Sequence, residues 1–253
     1  FVPAGVTDDP AGYGKYWGIR SGIFPSVGGT RELGTTVIIE DIAFHIEDLP
    51  DATDDLVELL ATHGYDDSCI YGHALEGNYH FIIAQSFDSD AEVQRYERLM
   101  RDIVKLVVGK YDGSLKAEHG TGRNKAPLVE KEWGSKAFEV MKEVKRLFDP
   151  KNTLNRGVIF NDDPQCFVKH FKPMPLTDEH VNKCIECGFC EVNCVSCGLT
   201  MSSRQRIVVQ REIARLRATG EDNARLARLE KEYEYYGLAT CAAHGRCSTP
   251  CPM

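Results

Sequence analysis

Cys184, Cys187, Cys190 and Cys194 follow one another with the spacing C-x2-C-x2-C-x3-C. In that spacing three thiolates can curl around one iron-sulfur cubane while the fourth reaches a second. The far end of the chain repeats the pattern as Cys241, Cys247 and Cys251-Pro252, with His244 where another cysteine would stand. Pairing the halves crosswise assigns Cys184, Cys187, Cys190 and Cys251 to one [4Fe-4S] cluster and gives Cys194, Cys241 and Cys247 three irons of another. His244 and Cys197 compete for the remaining iron, with a three-iron cluster as the third option; an imidazole ligand would raise the potential, as it does in Rieske centres. Structural zinc is the rival reading, but it uses two separated C-x2-C pairs, and a third cysteine three residues on crowds a tetrahedral ion. Eight of the ten cysteines lie between Cys184 and Cys251, which points to a local metal site in a reducing compartment rather than to disulfides.

A second constellation sits upstream. The stretch YGHALEGNYHF places His73 and His80 on either side of the turn at residues 75–78, where antiparallel strands bring facing side chains within about 5 Å. Two imidazoles so placed can share a metal, although two ordinary hairpin histidines would look the same. KAEHGTGR at 116–123 adds Glu118 and His119 ahead of glycines that let the backbone approach a ligand closely. A third ligand and a base are then at hand.

These residues need elements to hold them. The β-branched run at 35–42 reads as a buried strand, and residues 51–63 as a helix with Asp51 or Thr53 as N-cap and Gly64 as its stop. Residues 68–73 and 79–85 read as two strands around the turn, 90–108 as a long amphipathic helix, and 138–148 as another, stopped by Asp149-Pro150. The fold class expected is α+β, an antiparallel sheet with helices on one face, followed by a mainly helical ferredoxin-type domain. The proline-bearing stretch 162–175 supplies the boundary, giving domains 1–162 and 163–253. In the second, Val209, Ile213 and Leu216 line one helix, and Leu226, Leu229, Tyr233 and Tyr236 another. The break at Thr219-Gly220 makes them a helical hairpin.

With 253 residues and 42% hydrophobic content the chain can bury a core. A net charge of −8, with signs alternating along most segments, excludes a nucleic-acid footprint. The cationic group Arg204, Arg206, Arg211, Arg215 and Arg217 reads first as a solvated helix face, with an anionic partner or peripheral contact on the inner face of a membrane as the alternative. No apolar run approaches the ~20 residues of a spanning helix, so the expected location is cytoplasmic. A first residue Phe1 and an end at Met253 inside a cysteine motif suggest a fragment.

The motifs GHALEGNYHF, SLKAEHGTGRNKAP, Glu132-Trp133-Gly134 and FDPKNTLNRGVI at 148–159 resemble the FAD-linked oxidase C-terminal domain. With KCIECGFCEVNC and TCAAHGRCSTPCP behind them, the chain resembles the large FAD and iron-sulfur D-lactate dehydrogenases. The resemblance implies that His73, His80 and Glu118 bind a divalent metal such as zinc or manganese, that His119 is the catalytic base, and that Arg20, in Trp17-Gly18-Ile19-Arg20, holds the substrate carboxylate. It places Asn155 against FAD, although Arg156 stands where the family has proline, as Val195 does after Cys194. It further implies a small 2-hydroxyacid substrate and a quinone, cytochrome or protein as electron acceptor. The family's flavin-binding domain lies outside this sequence, so the chain alone is not expected to turn over substrate. The competing expectation is a non-catalytic electron-transfer subunit that borrows its flavin from a partner.

Overall fold

The computed structural model describes residues 8–253. The chain divides into two compact units: Ile38–Pro173, and the residues up to Val37 together with Met174–Met253. The sequence boundary at 162/163 follows the order of the motifs. Division by compactness instead groups the first segment, which carries no periodic signal, with the cysteine-rich unit.

In the first of these units the strands β1 (Thr36–Ala43), β2 (Cys69–His73) and β3 (Asn78–Gln85) lie in the order β1-β3-β2, with β2 antiparallel to β3. Because β3 is central, His80, Phe81, Ile82 and Ile83 are all buried and the polar-apolar alternation of a half-exposed strand is lost. Helices α2 (Leu49–Thr62) and α3 (Asp90–Val104) cover one face. Leu56 and Leu60 from α2 and Leu99, Met100 and Ile103 from α3 join Ile42, Phe81 and Ile83 in one core. The two-residue period of a strand then turns Asp41, Tyr71, His73 and His80 to the opposite face.

The expected elements are present with shifted ends. Helix α2 starts at Leu49 because Pro50 suits a first turn, and Thr53 bonds back to the Leu49 carbonyl instead of capping. Regular helix α3 ends at Val104 and continues as a wider turn through Lys110. Helix α4 (Val129–Phe148) begins nine residues earlier than expected, broken at Gly134, whose φ is 75°. The β2–β3 connection is a short turn, Ala74–Glu76, closed by Gly77 at φ 66°. There a Cβ would collide with the Phe44 carbonyl oxygen, so only glycine fits.

The cysteine-rich unit is helical. Helix α1 (Pro10–Thr30) is capped by Asp9, which accepts the N–H groups of Ala11 and Gly12. Helices α5 (Ser203–Thr219) and α6 (Asn223–Tyr233) form the expected hairpin, with Gly220 left-handed at the break. Ile213, Leu216 and Tyr233 are buried, but Tyr236 is 47% exposed. A wide turn over Glu234–Ala239 sets Gly237 against the Tyr233 ring and turns Tyr236 outward.

Candidate functional site

Asp41 organises the polar face of the sheet. Its Oδ2 accepts the backbone N–H groups of Ala117, Glu118 and His119 at 2.6, 2.8 and 2.9 Å, and its Oδ1 accepts from Asn78 Nδ2 at 2.7 Å. Three successive amides on one oxygen fix residues 117–119 over the strand. Burial works against the charge, and the amides and Asn78 outweigh it, so the Asp41 carboxyl is held below the usual carboxylate range. The preceding Glu40 faces the helical side, where it accepts from Tyr96 Oη at 2.8 Å, Lys125 Nζ at 2.5 Å and Asn124 Nδ2 at 3.3 Å. Consecutive carboxylates on opposite faces of β1 therefore clamp both ends of the loop 117–125. Sequence reasoning assigned neither a role. The signal was two adjacent acids inside a β-branched strand, a costly arrangement unless each finds partners.

The clamp brings four side chains together. Glu118 Oε1 lies 2.7 Å from His80 Nε2 and 3.5 Å from His73 Nε2. The donor atoms of His73, His80 and Glu118 are all within 4.8 Å of one another, and Asp41, His80 and His119 form an overlapping group. His73 and His80 are not cross-strand partners, since the register pairs Tyr71 with His80 and His73 with Asn78. The expectation of directly facing imidazoles is corrected: they meet diagonally on one face, with ring centroids 6.0 Å apart and planes at 85°. The His119 ring stacks on His80 at 4.7 Å, and its Nε2 is 4.0 Å from Glu118 Oε1.

Two imidazoles and a carboxylate are a donor set for zinc or manganese. The side chains of Glu118 and His119 are 49% and 43% exposed, which keeps one side open to a ligand. His80 is 2% exposed, with Nδ1 3.3 Å from Asp41 Oδ1 though off the hydrogen-bonding line. Asp41 thus backs, by its charge rather than by a hydrogen bond, the imidazole whose other nitrogen points at Glu118. Burial lowers the His80 pKa against the opposing pull of Asp41 and Glu118, favouring the neutral ring that ligates metals.

The remaining anticipated residues are placed as follows. Arg20 lies in α1, in the other unit, with its guanidinium 5.4 Å from the Trp17 ring centroid. Asn155 is left-handed at φ 42° in a loop held by Asp149, which accepts the N–H groups of Thr153 and Leu154, both at 2.9 Å. The Ile159 N–H donates to the Gly122 carbonyl at 3.0 Å, tying that loop to the one after His119. Glu132 accepts from Ser114 Oγ at 2.6 Å and the Leu115 N–H at 3.3 Å, holding the approach to Glu118.

The two cysteine loops share a backbone. Glu186 and Gly188 have φ of 61° and 86°, Ala243 and Gly245 have φ of 50° and 71°, and a short turn follows each pair, Phe189–Asn193 and Arg246–Ser248. His244 thus stands where Cys187 stands in the first loop. Its Nδ1 accepts the Arg246 N–H at 2.9 Å, and Cys197 is exposed outside the repeat. Burial pushes the Cys190 thiol up, opposed by Ser203 and reinforced by neighbouring Cys251 and Cys187. Among the described residues no three cysteine sulfurs lie within 4.8 Å of one another. At Cys194 burial raises the thiol pKa, but the Ser196 hydroxyl, the Ser196 and Ser203 backbones and Arg206 outweigh it, bringing it down to about 7.

The arginines of α5 do not form the solvated face expected of them. Arg206 and Arg211 are 9% and 3% exposed. Arg204, Arg211 and Arg215 pair with Glu191, Glu186 and Glu212, and Arg217 with Glu230. No described helix is long and apolar enough to cross a membrane.

Residues 2–159 match the family described as FAD linked oxidases, C-terminal domain, and residues 180–253 match the 4Fe-4S dicluster domain. Glycolate oxidase subunit GlcD of Bacillus subtilis (strain 168) is 31% identical over 132 residues, covering 52% of this chain and 27% of that protein. A probable mitochondrial D-lactate dehydrogenase of Danio rerio is 36% identical over 90 residues, 36% of this chain and 18% of the relative. A D-2-hydroxyglutarate dehydrogenase of Stutzerimonas stutzeri (strain A1501) is 30% identical over 123 residues, 47% and 26%. The chain spans roughly a quarter or less of the length of these relatives. By the match over most of its length, the chain belongs to the FAD linked oxidases, whose C-terminal domain is here joined to a 4Fe-4S dicluster domain.

Proposed function

We propose that the chain is the substrate-binding and electron-relaying part of an FAD-dependent oxidoreductase acting on a D-2-hydroxyacid, D-lactate or a glycolate-like acid first among them. The observation that carries this reading is the convergence of His73, His80 and Glu118 on one point, with His119 stacked against His80. The relatives named above, a glycolate oxidase subunit and dehydrogenases of D-lactate and D-2-hydroxyglutarate, are all 2-hydroxyacid enzymes by name, which narrows the substrate class.

Oxidising such an acid requires removal of the hydroxyl proton as hydride leaves the adjacent carbon. His73, His80 and Glu118 would hold a divalent ion, which would supply Lewis acidity to the hydroxyl oxygen, while bound FAD would supply a hydride acceptor and iron-sulfur clusters one-electron relays. His119, backed by His80 and held through its own N–H by Asp41, is the base that takes the proton. Arg20 offers a planar fork to the substrate carboxylate. Asn155, on the loop tied to Gly122, would be the contact to bound flavin. Cys184, Cys187, Cys190 and Cys251 hold one cluster; Cys194, Cys241 and Cys247 hold the second, with His244 at the repeated position and Cys197 as its rival. The electron acceptor is a quinone, a cytochrome or a partner protein.

Anomalous scattering from crystals grown with zinc or manganese tests the metal site, and the expected result is one ion between His73, His80 and Glu118. No ion there at saturating metal would remove the observation on which the reading rests. The rival, an electron-transfer subunit without its own chemistry, predicts an empty site and iron-sulfur clusters alone.

A further inference from the structure

Helix α5 carries five arginines, and four of them meet a carboxylate. Arg206 does not. Its Nε donates to the Gly237 carbonyl, its Nη2 to Ser196 Oγ at 3.0 Å and Thr240 Oγ1 at 3.4 Å, and its Nη1 to Cys194 Sγ at 3.7 Å. No carboxylate of the described residues lies within ion-pair distance of it, although the side chain is buried. A buried guanidinium surrounded by neutral oxygens is expensive unless an anion completes the site. The one partner able to carry negative charge is the Cys194 sulfur. Thr240, another partner, precedes Cys241, so Arg206 bridges the two segments that share the second cluster in the crosswise pairing.

We propose that Arg206 is the counter-cation of the cluster held by Cys194 and Cys241, and that its charge and its N–H to sulfur contact raise that cluster's reduction potential. This rests on the reading that these cysteines ligate iron. Reduction adds an electron to an already anionic thiolate cluster, and a fixed cation stabilises the reduced form more than the oxidised one. Arg211 offers less of this to the other cluster, because its charge is taken up by Glu186 at 2.7 Å. Arg206 acts through Cys194 and is a positioning residue rather than a catalytic one.

The test is a dithionite titration of the anaerobically reconstituted chain, followed by electron paramagnetic resonance, for the unsubstituted protein, Arg206→Gln, Arg206→Lys and Arg215→Gln as a control. Arg206→Gln should lower the potential of one cluster at least tenfold in its reduction equilibrium, 59 mV for a one-electron couple, and leave the other unchanged. Arg206→Lys, which keeps the charge and loses the fork, should shift it less, and Arg215→Gln should not shift it. If Arg206→Gln loads half the iron while Arg206→Lys loads all of it, the need for charge is upheld. Full loading with unchanged potentials in Arg206→Gln, or equal loss of a cluster in both Arg206 variants, overturns the proposal. Absence of iron in the unsubstituted protein would instead overturn the cluster reading beneath it.

Discussion

Replacing Asp41 with alanine removes the acceptor of four hydrogen bonds and frees the segment that carries Glu118 and His119. Hydrogen bonds to a charged group contribute about 1.5–3 kcal/mol each, but three of these share one oxygen and the freed loop amides can rehydrate, so the terms do not add. A loss of about 3–5 kcal/mol, the range for breaking a buried charged network, is expected. Against a typical total of about 5–15 kcal/mol this leaves a folded but weakened unit. With a urea m-value of about 1–3 kcal/mol/M the midpoint falls by roughly 1–5 M at unchanged m. Asp41→Asn should lose less, since its carbonyl can still accept the amides while its Nδ2 is forced against that of Asn78. The carboxyl is held below its usual range, so its contribution is present above pH ~4 and is lost as pH falls through the folded value; both variants should lack that acid limb. Hydrogen exchange reads the loop directly: Ala117, Glu118 and His119 amides should lose protection in Asp41→Ala while core strand β3 stays protected. Wild-type protection at 117–119 together with an unchanged midpoint would refute the clamp.

Gly77→Ala forces a Cβ against the Phe44 carbonyl at φ 66° and should cost about 2 kcal/mol, read as a melting temperature lower by roughly 4–8 °C. The metal-free protein should lose stability as pH drops from about 6.5, the unfolded histidine value, because burial lowers the folded His80 pKa and makes its protonation unfavourable in the native state. His80→Gln should flatten that slope between pH 7.5 and 5, and an identical slope would show that His80 does not set it. Cys190→Ala should leave about half the iron of the reconstituted protein, and iron analysis showing no loss would remove Cys190 from the ligands.

The elements were legible where periodicity was strong. The α2, α3 and α5–α6 helices, the β2–β3 hairpin and the strand at 36–43 all follow from spacing, caps and β-branched runs. The one-sided packing of the sheet follows from them. Helix α1 was not legible, because its six glycines and internal Pro25 leave no apolar stripe, and its one closely packed end, where Gly28 fits tightly against Ile185, depends on a residue distant in sequence. His73, His80, Glu118 and His119 were visible as types and spacing. What joins them was hidden, since Asp41 lies 76 residues before Ala117 and acts through backbone amides that any sequence would supply. The arginines of α5 misled for the same reason: a basic run reads as solvated, and only the fold shows that Arg206 and Arg211 point inward.

The histidine-carboxylate centre is proposed to take electrons from a D-2-hydroxyacid, and the cysteine unit to receive them. Rapid anaerobic mixing of the complete flavin-bearing enzyme with D-lactate, glycolate and D-2-hydroxyglutarate, monitored by cluster absorbance and paramagnetic resonance, tests it most directly. At least one of these acids should reduce the clusters, and His119→Ala, with flavin and iron still bound, should slow that reduction by ~10²- to 10⁴-fold, the usual effect of losing a general base. Clusters that stay oxidised with every acid tried, or that are reduced as fast in His119→Ala as in the unsubstituted enzyme, would contradict it.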